Sequence, residues 1–287
     1  MNPQRVLVIA GLTLREITRR RILWVLALLS VVSVALVGWG VDRLVALSRD
    51  QGINEAELQL GISQILILIA FMFSFVLAMS AAFLAAPAIA SDVETGTVLA
   101  MLARPMHRAD LVVGRWLGLG VIVVGYAVGS GLLAIGVVRV VSGYTPPSTQ
   151  IALVFLALQA VAVLTTALAL GTRLPGIAAG AITVVLFGLG WFTGVLGAVA
   201  SAFGVSQLSG VGQVYRVLFP TDGLWRGVIY GLEPPAAVVA TRLAGRAAAS
   251  NPFYADAPPP AAFTAWCIVW VVLVLALGAW LFRRREL

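Results

Sequence analysis

The chain has 287 residues, 61% of them hydrophobic and only 11% charged, with a mean hydropathy of +1.02. That is too little charge to coat a soluble domain of this length, and several apolar runs reach the roughly 20 residues that a bilayer core about 30 Å thick demands. The net charge is +7 and all nineteen basic residues are arginine. Without lysine, no P-loop is complete and Schiff-base catalysis is excluded. The single cysteine, Cys267, and single histidine, His107, rule out an internal disulfide and a His/Cys metal cluster. The arginines flank apolar runs, which matches anionic lipid headgroups and not nucleic acid.

In chain order, residues 5–20 place Val6, Ile9, Leu14 and Ile17 near one helical face, with Arg5, Arg15, Glu16, Arg19 and Arg20 mostly opposite. This predicts an amphipathic helix lying in the membrane interface. The first span is expected over 22–41, bracketed by Trp24 and Trp39, because indole rings favour the membrane–water boundary. A polar loop is expected over 42–61, and a second span over 62–86 ending near Pro87. Further spans are expected over 116–138, 151–171, 177–200 and 263–282, with the Pro146–Pro147 turn separating the third from the fourth. Residues 201–262 mix glycine, proline and charge and read as an external segment. The fold class is all-α, one membrane domain over 1–287 with about six transmembrane helices.

Arginine placement gives the orientation. With the N-terminus inside, twelve of the nineteen arginines fall on the cytoplasmic side, among them Arg19, Arg20, Arg21, Arg283, Arg284 and Arg285 beside the membrane. The positive-inside rule then puts both termini in the cytoplasm, with the boundary arginines and Trp24 and Trp39 as interface anchors. The arginine-only basic set, with much Ala, Gly and Val, matches a GC-rich prokaryotic genome and hence a cell-membrane location. No expected span holds an Asp, Glu, Arg or His in its interior. An ion-coupled carrier keeps such groups at membrane depth, so energy for active transport would enter from outside the membrane domain. Gln159 is expected to make an interhelical hydrogen bond. Four small-x-x-x-small pairs (Gly114/Gly118, Gly125/Gly129, Gly176/Gly180 and Gly190/Gly194) would let helices approach closely.

The stretch ASDVETGTVLAMLARPMHRADLVVGRW, residues 90–116, carries the most information. Ser91 to Glu94 reads as a capping box that sets Asp92 and Glu94 at the positive end of a short helix. Val98, Leu99, Met101 and Leu102 form its apolar patch, and Arg104–Pro105 ends it. Such a helix suits docking into a groove on a soluble partner. The pattern Asp92, Glu94, Gly96, Thr97, Leu102, Pro105 and Arg108, followed by Gly114-Arg115, resembles the coupling-helix region of ABC-2 type permeases. The basic N-terminal helix, the six spans, the long segment before the last helix and the terminal FRRREL are similar to that family as well.

The resemblance implies a non-catalytic permease subunit of an ATP-driven exporter, with those seven residues, in a coupling segment over 90–110, facing a partner ATPase. It implies two cytoplasmic ABC ATPases, which bind the ATP and Mg, and a second permease copy. The permease itself would carry no cofactor. It also implies re-entrant helices within 201–262. Three other readings remain: an ATP-independent secondary transporter, a lipid-modifying enzyme built on Asp92, Glu94, His107 and Asp110, and a non-transporting anchor or regulatory subunit.

Overall fold

A computed structural model describes residues 2–19, 21–95, 107–237, 239, 251–255 and 257–285, apart from the side chains of 21–23, 201–202 and 206–209. It is 86% helical, and among the described residues there is no strand. The elements are α1 (Pro3–Thr18), α2 (Arg21–Gln51), α3 (Glu55–Ala85), α4 (Pro87–Glu94), α5 (Arg108–Ser142), α6 (Thr149–Gly171), α7 (Gly176–Ala202), α8 (Ser206–Leu218), α9 (Thr221–Leu232) and α10 (Ala261–Arg283). Six described helices are long and apolar enough to span a membrane: α2, α3 running on into α4, α5, α6, α7 and α10. Trp24 and Trp39 point outward, 76% and 63% exposed.

Helix α6 is the axis of the bundle. It packs on α3, α5, α7, α9 and α10, and 67% of its apolar window is buried, against 28% for α2, α7 and α10. Leu164 and Leu168 on α6, Ile67 on α3 and Leu119 on α5 are buried in one continuous core.

Three features differ from the sequence expectation, and each has a local cause. The expected loop over 42–61 shrinks to residues 52–54. Helix α2 does not stop where its apolar run stops. It runs for 31 residues, about 46 Å at 1.5 Å per residue, well beyond a core of about 30 Å. Gly52 then ends it with φ of +66°, and the Ile53 N–H closes on the Ser48 carbonyl at 3.0 Å, the six-to-one bond of a Schellman cap. Asn54 caps α3 at once by accepting from the Glu57 N–H at 2.9 Å.

Pro87 bends the second span without ending it. The Ala86 N–H still bonds the Ala82 carbonyl at 3.0 Å, and Pro87 occupies the first turn of α4, where its missing N–H costs nothing. Ser91 therefore lies inside α4 and not at a helix start. Its hydroxyl donates to the Pro87 carbonyl at 2.6 Å, so the expected capping box does not form. Asp92 and Glu94 sit at the negative end of the α4 dipole.

The third difference concerns α1. Its face with Val6 and Ile17, expected to lie in the membrane interface, is buried against α5. Leu7, Val8 and Leu12 are exposed on the other side.

Helices α8 and α9 fold back into the bundle. Ten of the twelve α9 residues are buried, against α6, α7 and α3. Glycine at every fourth position, Gly223, Gly227 and Gly231, makes this possible. A methyl group at these sites would overlap the Phe263 ring, the Phe155 ring and the Ala152 backbone respectively.

Candidate functional site

Helix α1, helix α4, the start of α5 and the last turn of α10 meet at one end of the bundle, where the polar groups form a connected set. Close packing comes first. Gly114 and Gly118 give α5 a bare strip, so that a Cβ at Gly118 would lie 2.7 Å from the Ala10 carbonyl oxygen and at Gly114 2.6 Å from Ile9. Thr13 faces the same strip, fully buried, and satisfies its hydroxyl by donating to the Ile9 carbonyl at 2.8 Å.

One turn along, Arg115 of α5 reaches two carboxylates on two other helices. Its Nη1 donates to Glu16 Oε2 of α1 at 2.6 Å and its Nη2 to Asp92 Oδ2 of α4 at 2.7 Å. The arginine side chain is 10% exposed and that of Asp92 14%, while that of Glu16 is 44% exposed. The Asp92 arm is thus the desolvated one, where a charge-assisted bond is strong and a lost partner costly. The knot fixes α1, α4 and α5 together at the place where the chain leaves α4 and returns into α5.

A second clasp lies beside it. Arg108, the first residue of α5, donates from Nη1 to the carbonyls of Phe282 (3.4 Å), Arg283 (3.3 Å) and Arg285 (2.6 Å). These belong to the last turn of α10 and the residues just after it, where carbonyls lack intrahelical partners and a cation meets the negative end of the dipole. Arg285 passes the link on, donating to the Thr172 carbonyl at the end of α6 at 2.7 Å. Arg284 stacks over Trp280, 4.3 Å from the ring centroid.

A third polar group lies deeper. Gln159, near the middle of α6, accepts from the Ser74 hydroxyl of α3 at 2.6 Å and donates to the Thr221 carbonyl of α9 at 3.2 Å, the interhelical bonding that the sequence led us to expect. Next to it Asp222, 5% exposed, receives Arg216 Nε of α8 at 2.6 Å and faces Arg226 Nε at 3.5 Å. Gly194 of α7 leaves the space that this carboxylate fills. No expected span held an interior ionisable group. The acid arrives instead from α9, outside the six spans, with its charge already matched by two arginines.

Of the residues singled out in the sequence, Asp92 and Arg108 make bonds within the chain, while Glu94 is exposed at the end of α4. Gly96, Thr97, Leu102 and Pro105 lie outside the described residues. So does Arg20, and the Arg21 side chain is not described. Arg19 and Arg283 are exposed.

Sequence reasoning passed over Asp222 and read Glu16 only as part of the polar face of α1. Asp222 had a visible signal: Arg226 four residues on, in a segment otherwise apolar. The Gly223, Gly227 and Gly231 period was also legible.

The family model described as ABC-2 family transporter protein matches residues 7–287. No curated protein matches the chain.

Proposed function

Because the chain belongs to the ABC-2 transporter family, whose multi-pass permeases are generally non-catalytic and work with ATPase partners, we propose that it forms the permease half of an ATP-driven exporter. It pairs with a second permease copy, and two ATPases dock at the bundle end that carries both termini. That end is the cytoplasmic one on the arginine bias. The observation that carries the reading is the Arg115 knot. The segment between α4 and α5 enters and leaves the bundle where Arg115 joins α1, α4 and α5, so force applied to that segment reaches the second and third spans together.

The matching residues then divide their work. Asp92 is a positioning residue, held by Arg115, and Arg108 holds the end of the last span. Glu94, exposed, faces the ATPase together with Gly96, Thr97 and Leu102. Helices α8 and α9 act as the re-entrant pair that closes the far side of the path.

The test is a pull-down of the full, affinity-tagged chain from its native host at native expression. A stoichiometric Walker-motif ATPase is expected. It should be lost when residues 95–106 become a Gly/Ser linker, a change that leaves Asp92 and Arg115 in place. Recovery of the permease with no ATPase would overturn the proposal. In the reconstituted complex, Glu94→Ala or Gly96→Pro should separate ATP hydrolysis from transport while the permease stays in the membrane.

A further inference from the structure

Between α3, α6, α7 and α9 lies a small, partly open space lined by Ser74, Gln159, Trp191, Thr221, Asp222 and Trp225, together with two phenylalanine rings. Three polar atoms of these lining residues are buried without a hydrogen-bond partner among the described residues: Trp191 Nε1, Trp225 Nε1 and Thr221 Oγ1. Thr221 is 1% and Trp225 3% exposed. Buried donors are almost always satisfied in native proteins, by protein or by ordered water, so the two indole N–H groups of residues that line one cavity call for an acceptor.

Size and charge select that acceptor. The space is about 10 Å³, the room of about one water molecule. A cation entering it would face Arg216 and Arg226, which already surround Asp222. An anion would meet the Asp222 carboxylate. A neutral molecule that accepts two hydrogen bonds and donates two suits every group present.

We propose that this cavity is a resident-water site. One water accepts from the Trp191 and Trp225 indoles and donates to Thr221 Oγ1 and the Asp222 carboxylate. It joins two polar groups that are otherwise separate, the Ser74–Gln159–Thr221 chain and the Arg216–Asp222–Arg226 cluster. The α8–α9 pair is thereby pegged to three spans, including α7 through Trp191. This holds whether or not the permease reading does.

The experiment uses the full chain in detergent micelles with ¹⁵N-labelled indoles, and reads magnetisation transfer between water and each indole N–H. Trp191→Phe and Trp225→Phe, which keep a ring in place, assign the two resonances. The expected result is a cross-peak from a long-lived water to both indoles, reduced at Trp225 in Thr221→Val with the helical content unchanged. Indole resonances without a water cross-peak would overturn the proposal. So would resonances that move on titration with chloride, since the occupant would then be an anion. If Thr221→Val unfolds the chain, the wild-type cross-peaks alone decide.

Discussion

Replacing Arg115 by methionine keeps much of the side-chain volume and removes the charge that two carboxylates share. The Asp92 arm is desolvated on both sides, at 10% and 14% side-chain exposure, and breaking such a pair costs roughly 3–5 kcal/mol, because the remaining charge is left buried and unpaired. The Glu16 arm, with its carboxylate 44% exposed, adds up to about 1 kcal/mol. Arg115→Met should therefore destabilise the chain by about 3–6 kcal/mol, and Glu16→Gln by about 1 kcal/mol or less. Asp92→Asn with Arg115→Met should fall short of the sum of the two single losses by about 2 kcal/mol, since the second change removes the stranded acid. Equilibrium unfolding in mixed micelles, followed by tryptophan emission, measures each value. Trp116 adjoins the knot and donates to Thr165 Oγ1 of α6 at 2.8 Å, which makes it a local reporter. Additivity of the two single losses within about 0.5 kcal/mol would refute the reasoning, for it would mean that Arg115 and Asp92 do not act as a pair.

Two other outcomes follow from geometry. Gly231→Ala should destabilise by roughly 1–3 kcal/mol, because its methyl meets Ala152 backbone and not a side chain that can turn aside. Gly125→Ala and Gly129→Ala have open space around them and should be neutral, or should stabilise by up to about 1 kcal/mol through helix propensity; the same unfolding measurement separates the two classes. Arg108→Ala removes three bonds to the end of α10. Amide exchange of Arg284 and Arg285 should rise at least about tenfold, the loss of roughly 1.5 kcal/mol expected for a hydrogen bond to a charged group. Unchanged exchange there would show that the clasp holds nothing.

The spans were legible because each is an apolar run longer than a bilayer core is thick, and the pattern around Asp92 to Arg108 carried the family resemblance. What hydropathy does not report is a helix that continues into water. Asp42, Arg43, Arg49 and Asp50 read as loop only because polarity and helix end were equated, although Gly52 and Asn54 were the true stop and start signals. The capping box at Ser91 failed for a related reason. The local motif was present, but Pro87 had already begun a helix, so the same serine was spent on an i−4 carbonyl. The Arg115 knot was invisible in another sense. Glu16, Asp92 and Arg115 come from three helices, and only packing through Gly114 and Gly118 makes them neighbours. Three of the four expected glycine pairs are closed by contacts within the chain, at Ile9 and Ala10, at Pro87 and Phe83, and at Thr221 and Asp222. Gly125 and Gly129 meet nothing. Spacing alone could not tell these apart.

The Arg108 clasp bears on how this protein can be handled. A fusion joined after Leu287 is separated by two residues from Arg285, whose carbonyl and guanidinium both belong to the clasp. A bulky domain there pulls on the end of the last span and, through Thr172, on α6. A label meant to observe motion without causing it belongs at the opposite hairpin. There Gly52 and Asn54 are exposed and only three residues separate two long helices.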